Sequence, residues 1–237
     1  MVPSMADLTL IELYISPWSE RLRWVLDLKG VPYARREYVP LAGEAELERT
    51  TGLRTAPVLL ADGEVVGDSN VAVDWLETRY PEPRLVPAEP PARAAVRAFE
   101  LAATETMAPA ARLVAIGRWR AANVQPLADH FAAKYRWSPA AEAEATRLLT
   151  TFLADLALAA AGRPYLVGDG LTRADLTVAA MLAAPLGLPP DELFAADESL
   201  RRILGLPVAK SAAMAPLRAW RDELYRRHRG RRVTPAA

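Results

Sequence analysis

LTLIELYISPWSERLRWVLDLKG, residues 8–30, decides the fold. Leu8 to Ile15 is a short apolar run that ends at Ser16-Pro17, and a short run with that punctuation reads as a buried strand. A helix begins at once. Ser16 offers a hydroxyl to free backbone amides, and Pro17 suits the first helical position. Trp18, Leu22, Val25 and Leu26 then recur at i, i+4, i+7 and i+8 along one apolar face. Lys29-Gly30 closes the helix.

Outward from this unit, Tyr33 to Val39 is a second strand-like segment, and Glu44 to Thr51 carries a mixed helical pattern. The apolar run Pro57 to Ala61 is joined to Glu64-Val65-Val66 by Asp62-Gly63, a two-residue hairpin signal because both central positions favour positive φ. Ser69 starts a helix whose Val71, Ala72, Trp75 and Leu76 are expected to share a face and which Pro81 stops. Strand, helix, strand, helix, hairpin and helix predict a mixed four-stranded α/β sheet in residues 1–80, with one parallel crossover and one antiparallel hairpin.

Tyr80 to Pro91 (YPEPRLVPAEPP) holds five prolines in twelve residues, so residues 81–91 are expected to form a stiff linker. Beyond it, Ala92 to Arg120, Ala140 to Ala161, Arg173 to Ala184 and Met214 to Arg227 show helical periodicity with no convincing strand between them. Residues 92–237 are therefore expected to form an all-helical domain.

Composition narrows the chemistry. The 237 residues are 51% hydrophobic and 24% charged, ample for a core, and 29 basic residues balance 29 acidic ones. No global field draws this chain to nucleic acid or to an anionic membrane. The five arginines from Arg226 to Arg232 read as complements to a helix carboxyl terminus, with a nucleic-acid patch as the other reading. The amino terminus, MVPSMADLTL, has no leader pattern. The charge-free stretch Leu176 to Pro190 is shorter than a membrane span and interrupted by prolines. A cytoplasmic protein without a membrane segment is expected. With no cysteine there is no disulfide, thiolate metal site or protein thiol chemistry. The two histidines, His130 and His228, argue against a histidine-rich metal site, and a Ser-His-Asp hydrolase requires His130 to reach a distant serine.

Three places remain as candidates. Ser16 lies where a strand delivers the chain into a helix amino terminus, a place that favours anions, thiolates included. It either caps the helix or stabilises such a guest, and both uses are compatible. Ala56-Pro57 precedes the third strand; a cis peptide there exposes the backbone of residue 56 to an extended ligand, while a trans proline is the ordinary alternative. Asp68-Ser69 opens a helix and offers a carboxylate, a hydroxyl and free amides either to a cap or to an amino acid's charged ends.

SPWSERLRWVLDLKGVPY, TAPVLLADGEVVGDSNVAVDWLETRYP and YLVGDGLTRADLTVAAML, in this order, resemble the glutathione transferase superfamily, the first motif being most similar to its serine and cysteine types (tau, zeta and omega-like). The resemblance implies a thioredoxin-like first domain that binds glutathione as co-substrate, an all-helical second domain, an apolar acceptor pocket between them, and a homodimer. It places Ser16 at the glutathione sulfur, with Ser19 as backup. Trp18 is placed at the pocket, and the backbone at Ala56-Pro57 beside the cysteinyl part. Asp68-Ser69 is placed at the γ-glutamyl end. The stretch Pro40 to Glu46 lacks the lysine related members set near the glycine carboxylate, which leaves Arg54 as the substitute. Met107, Arg112, Ile116 and Trp119 are the acceptor-pocket candidates. Thr172 to Asp175 matches the family's structural capping motif in the helical domain. The expected activity is transfer of the glutathione thiol to a hydrophobic electrophile. Glutathione-dependent isomerisation or dehalogenation, or binding without catalysis, are the alternatives.

Overall fold

The computed structural model describes residues 8–236; residues 1–7, read above for a leader, lie outside it. The chain divides into two compact units at Leu85/Val86, inside the proline-rich stretch. Residues 234–236 group with the first unit.

In the first unit the elements are β1 (Leu8–Glu12), α1 (Pro17–Leu28), β2 (Ala34–Glu37), α2 (Glu44–Thr51), β3 (Val58–Ala61), β4 (Glu64–Gly67) and α3 (Ser69–Arg79). The sheet order is β2-β1-β3-β4, with β1 and β2 parallel and the other two pairings antiparallel. Asp62 (φ 50°) and Gly63 (φ 86°) both take the left-handed conformation that a two-residue turn requires, pairing Ala61 with Glu64. Central β1 is buried at Leu8, Leu10, Ile11 and Glu12, as a strand covered on both faces must be. Ile11, Tyr38, Leu47 and Val58 form one cluster of this core.

Helix α1 is buried from Ser19 through Leu26, its arginines included. In α3 the expected face is corrected: Val71 points to solvent (56% exposed), and Val73 joins Ala72 and Leu76 in the core. The segment after α3 is no free spacer. Lys29 Nζ donates to the carbonyls of Tyr80 (2.7 Å) and Pro83 (3.1 Å) and pairs with Glu77, whose Oε1 accepts from Leu85 N at 3.0 Å.

The second unit contains α4 (Pro90–Leu101), a π-helical segment (Ala102–Met107), α5 (Ala108–Ala121), α6 (Leu127–Lys134), α7 (Pro139–Ala160), α8 (Arg173–Met181), α9 (Ala183–Leu186), α10 (Glu198–Ile203) and α11 (Ala215–His228). The helix expected over residues 92–120 changes register at its middle because Pro109 has no N–H for the carbonyl of Glu105 and its ring crowds that carbonyl. Helices α5 and α7 meet at Gly117, where a Cβ would collide with the Glu142 carboxylate.

The capping motif anchors the start of α8. Asp175, 0% exposed, accepts from Leu166 N (2.7 Å), Thr172 N (2.8 Å) and the Thr172 hydroxyl (2.8 Å). Burial pushes its carboxyl above the usual range while these donors pull it back. The carboxyl-terminal arginines are consumed locally: Arg226 and Arg227 pair with Glu223, Arg232 pairs with Asp191, and Arg229 is buried. Among the described residues no helix is long and apolar enough to cross a membrane.

Candidate active site

Ser16 is the N-cap residue of α1, with extended backbone (φ −72°, ψ 126°), yet its hydroxyl makes no cap bond. Half-buried in the turn between β1 and α1, that hydroxyl has no partner among the described residues. The capping use weighed from the sequence is therefore not the one the fold makes of it. Ser19 is corrected as a backup: it is 0% exposed, and its Oγ accepts from Leu13 N at 3.2 Å, so it braces the turn and faces no guest. Trp18 is half-buried one residue into α1.

The Ala56–Pro57 peptide is cis, at the entry to β3, and the Ala56 main chain makes no hydrogen bond among the described residues. Asp68 is exposed and lies at φ 63°, ψ 128°, outside the left-handed helical region where positive-φ aspartates gather, and its carboxylate accepts from Asn70 N at 2.7 Å. Backbone strain of this kind gathers at ligand sites. Ser69 is buried, so of this pair it is the Asp68 carboxylate that meets solvent. Arg54 is exposed, with Nε 3.0 Å from Glu48 Oε2. Such a surface pair is worth about 0–1 kcal/mol, little resistance to a competing carboxylate.

In the helical unit the acceptor candidates separate. Met107 and Ile116 are fully buried, so no water-sized space touches them and they are corrected to core. Arg112 and Trp119 keep partial exposure. The Arg112 guanidinium lies 4.1 Å from the Tyr135 ring centroid, with its pKa lowered by burial, and Trp119 Nε1 donates to Ile203 O at 3.0 Å. A cleft of about 350 Å³ in the same unit lies between the end of α7 and α11, beside Tyr165 and Trp220, and includes none of the candidates.

Sequence reasoning missed the charges behind the Ser16 turn. Glu12 is fully buried; it pairs with Arg23, itself 1% exposed, and accepts from Arg35 Nε at 2.6 Å. Arg23 also meets Glu20 at 2.8 Å. The signal was Glu12 itself, the one charge in LTLIELYI, since a carboxylate in a central strand requires a buried cation. Glu37 accepts from Tyr14 N at 2.8 Å; burial raises its carboxyl pKa, and that bond and the nearby arginines oppose the rise. Among the described residues no group of three or more acidic or histidine side chains is arranged to hold a metal ion.

The family model for the glutathione S-transferase N-terminal domain matches residues 10–84. A probable glutathione S-transferase of Oryza sativa subsp. japonica, GSTU6, is 28% identical over 186 residues, 74% of this chain and 71% of its own. Residues 10–84 are thus similar to the glutathione S-transferase N-terminal domain, and the longer chain is similar to members of that superfamily. Another relative in similarity is the maleylacetoacetate isomerase of Rattus norvegicus, 28% identical over 73% of this chain and 76% of its own. Probable glutathione S-transferases of tobacco and potato match over only 42–43% of their own length. Among solved structures, a glutathione S-transferase from Methylobacterium radiotolerans, in complex with glutathione sulfonate, superposes with a TM-score of 0.72 over 98% of this chain and 96% of its own. At 24% identity that likeness speaks for the superfamily's fold: a thioredoxin-like sheet domain followed by a helical domain.

Proposed function

We propose that this protein is a glutathione S-transferase in which Ser16 donates its hydroxyl hydrogen to the sulfur of bound glutathione and keeps that sulfur ionised for attack on a hydrophobic electrophile. The observation that carries this reading is the Ser16 hydroxyl, half-exposed at a helix amino terminus and unused by the helix it begins. A free thiol has a pKa near 8.5, and a charge-assisted hydrogen bond together with the helix dipole lowers it by about one to two units. The Ala56 main chain is the acceptor and donor for the cysteinyl part of the tripeptide, Asp68 the anion for its ammonium, and Arg54, released from Glu48, the cation for its glycine carboxylate. With no cysteine at any position, no mixed disulfide with the enzyme forms, and Ser16 acts on the sulfur only by hydrogen bonding.

Arg112 and Trp119 are the residues of the helical unit proposed to meet the electrophile. The likeness to the rat maleylacetoacetate isomerase supports a second reading at the same site, in which the thiolate adds reversibly to an unsaturated acid and leaves again. A homodimer is proposed with the transferase reading, supported by the exposed apolar Val65 of β4 and Val71 of α3. A cytoplasmic detoxifying role goes with that reading as well. Calorimetric titration with reduced glutathione tests the proposal: saturable heat at millimolar ligand or below is expected, and neither heat nor a thermal shift refutes it.

A further inference from the structure

The turn that presents Ser16 is held by side chains outside it. A main-chain group removed from water needs a partner, and a reacting group is placed only as well as the backbone that carries it. Leu13 N donates to Ser19 Oγ at 3.2 Å, Ser16 N donates to Leu13 O at 2.9 Å, and Glu20 N donates to Ser16 O at 3.0 Å. These bonds close the turn on α1, and the Tyr14 main chain is met from outside the turn. Tyr14 N donates to Glu37 Oε1, at the end of β2, at 2.8 Å. Tyr14 O accepts from Arg23 Nη2, in the second turn of α1, also at 2.8 Å.

Both partners are charged, and such bonds are roughly twice as strong as neutral ones. They come from two different elements and grip the N–H and the C=O of the same residue. Arg23 has little freedom to move: its Nε is 2.8 Å from Glu20, its Nη1 bonds Glu12, and its guanidinium lies 5.5 Å from the Tyr14 ring centroid. Arg35 in turn holds Glu12. We propose that Glu37 and Arg23 are positioning residues for the Ser16 hydroxyl, clamping Tyr14 between β2 and α1 so that the hydroxyl two residues on keeps one direction toward the sulfur. This role rests on the proposed reading of Ser16. A misplacement of about 1 Å at a reacting centre costs up to about a hundredfold in rate, so a clamp this close acts on turnover before it acts on stability.

Arg23→Ala removes the buried cation shared by Glu12 and Glu20, leaving Arg35 alone on Glu12, and is expected to unfold the sheet, so the test uses Glu37 in the full chain. Glu37→Ala is expected to lower kcat about tenfold or more while KM for glutathione stays within about twofold. The pKa of the bound thiol, read from the pH–rate profile and from ultraviolet thiolate absorbance, is expected to rise in the same variant. Glu37→Gln, whose amide oxygen still accepts from Tyr14 N, is expected to recover most of kcat and of the thiol pKa. A Glu37→Ala enzyme with wild-type kcat and thiol pKa overturns the positioning role, as does a Gln variant no better than the Ala variant at equal melting temperature. If the wild type gives no heat with glutathione, the reading of the site falls and takes the clamp with it. If the wild type binds and only the Glu37 variants are unimpaired, the clamp alone falls.

Discussion

Ser16→Ala separates the two uses a serine at a helix amino terminus can have. A capping hydroxyl contributes about 1 kcal/mol, so its removal from a domain of this size lowers the melting temperature by about 2–4 °C. The Ser16 hydroxyl makes no such bond, and its removal is expected to change stability by no more than about 0.5 kcal/mol. A donor to a thiolate is worth more: about 1.5–3 kcal/mol for a charged acceptor, which is about one to two pKa units. With the thiol returned from near 7 to about 8.5, the ionised fraction at pH 7 falls from about half to about 3%, and turnover falls about ten- to thirtyfold. The loss should shrink as the pH passes 8.5, because the thiolate then forms unaided. Steady-state rates with an activated aryl halide from pH 6 to 9, set beside thermal melts of both proteins, read both quantities. A melting temperature several degrees lower with an unmoved pH profile refutes the reasoning and returns Ser16 to the helix.

Asp175→Ala leaves Leu166 N, Thr172 N and the Thr172 hydroxyl buried without their acceptor, at about 1–3 kcal/mol each. A loss of about 3 kcal/mol or more in urea denaturation is expected, against a total of about 5–15; a loss below about 1 kcal/mol contradicts the role of the motif as an anchor. The His228 pKa is lowered, first by burial and then by Arg227, from its ordinary 6.5, with Asp175 opposing, and its Nε2 lies 3.0 Å from the Tyr165 hydroxyl. The unfolded chain then binds a proton that the folded one refuses, so this group's stabilisation is complete above pH 6.5 and is lost as the pH falls from there through the lowered value. His228→Gln should flatten that part of the stability–pH curve, and identical curves for the two proteins refute the assignment.

What the sequence makes legible is local. The Ser16-Pro17 break, the Asp62-Gly63 turn and the Pro81 stop each fix a boundary through one residue's backbone chemistry, and the elements follow them. What stays hidden depends on partners far along the chain. The choice between Val71 and Val73 as the buried residue of α3 is made by α1 and the sheet, not by the spacing of apolar residues. The short helices α6 and α10 carry too few turns for a period to show, and the register change before Pro109 follows from one missing donor inside an otherwise helical run. Lys29 ends α1 in the sequence reading, yet its ammonium straps the segment after α3, more than fifty residues on. Of the proposed site, Ser16, Ala56 and Asp68 are candidates that motifs name, whereas the side chains of Ser69, Met107 and Ile116 are buried, which spacing does not report.

The bare hydroxyl of Ser16 follows from how its neighbours divide the polar work of the junction. A helix start presents unpaired amides, and a serine at the N-cap is normally drawn into satisfying one. Here Pro17 removes an amide from the first turn outright, having none to offer. Ser19 turns its hydroxyl backward onto Leu13 N, and the Tyr14 main chain is met by Glu37 and Arg23. Of the two charges that meet Tyr14, Arg23 is buried and paired with Glu12 and Glu20, with the half-buried Arg35 also on Glu12, while Glu37 is exposed. A serine left with a free hydroxyl at the positive end of a helix, on a backbone fixed from both sides, is suited to hold a proton toward an anion and to little else.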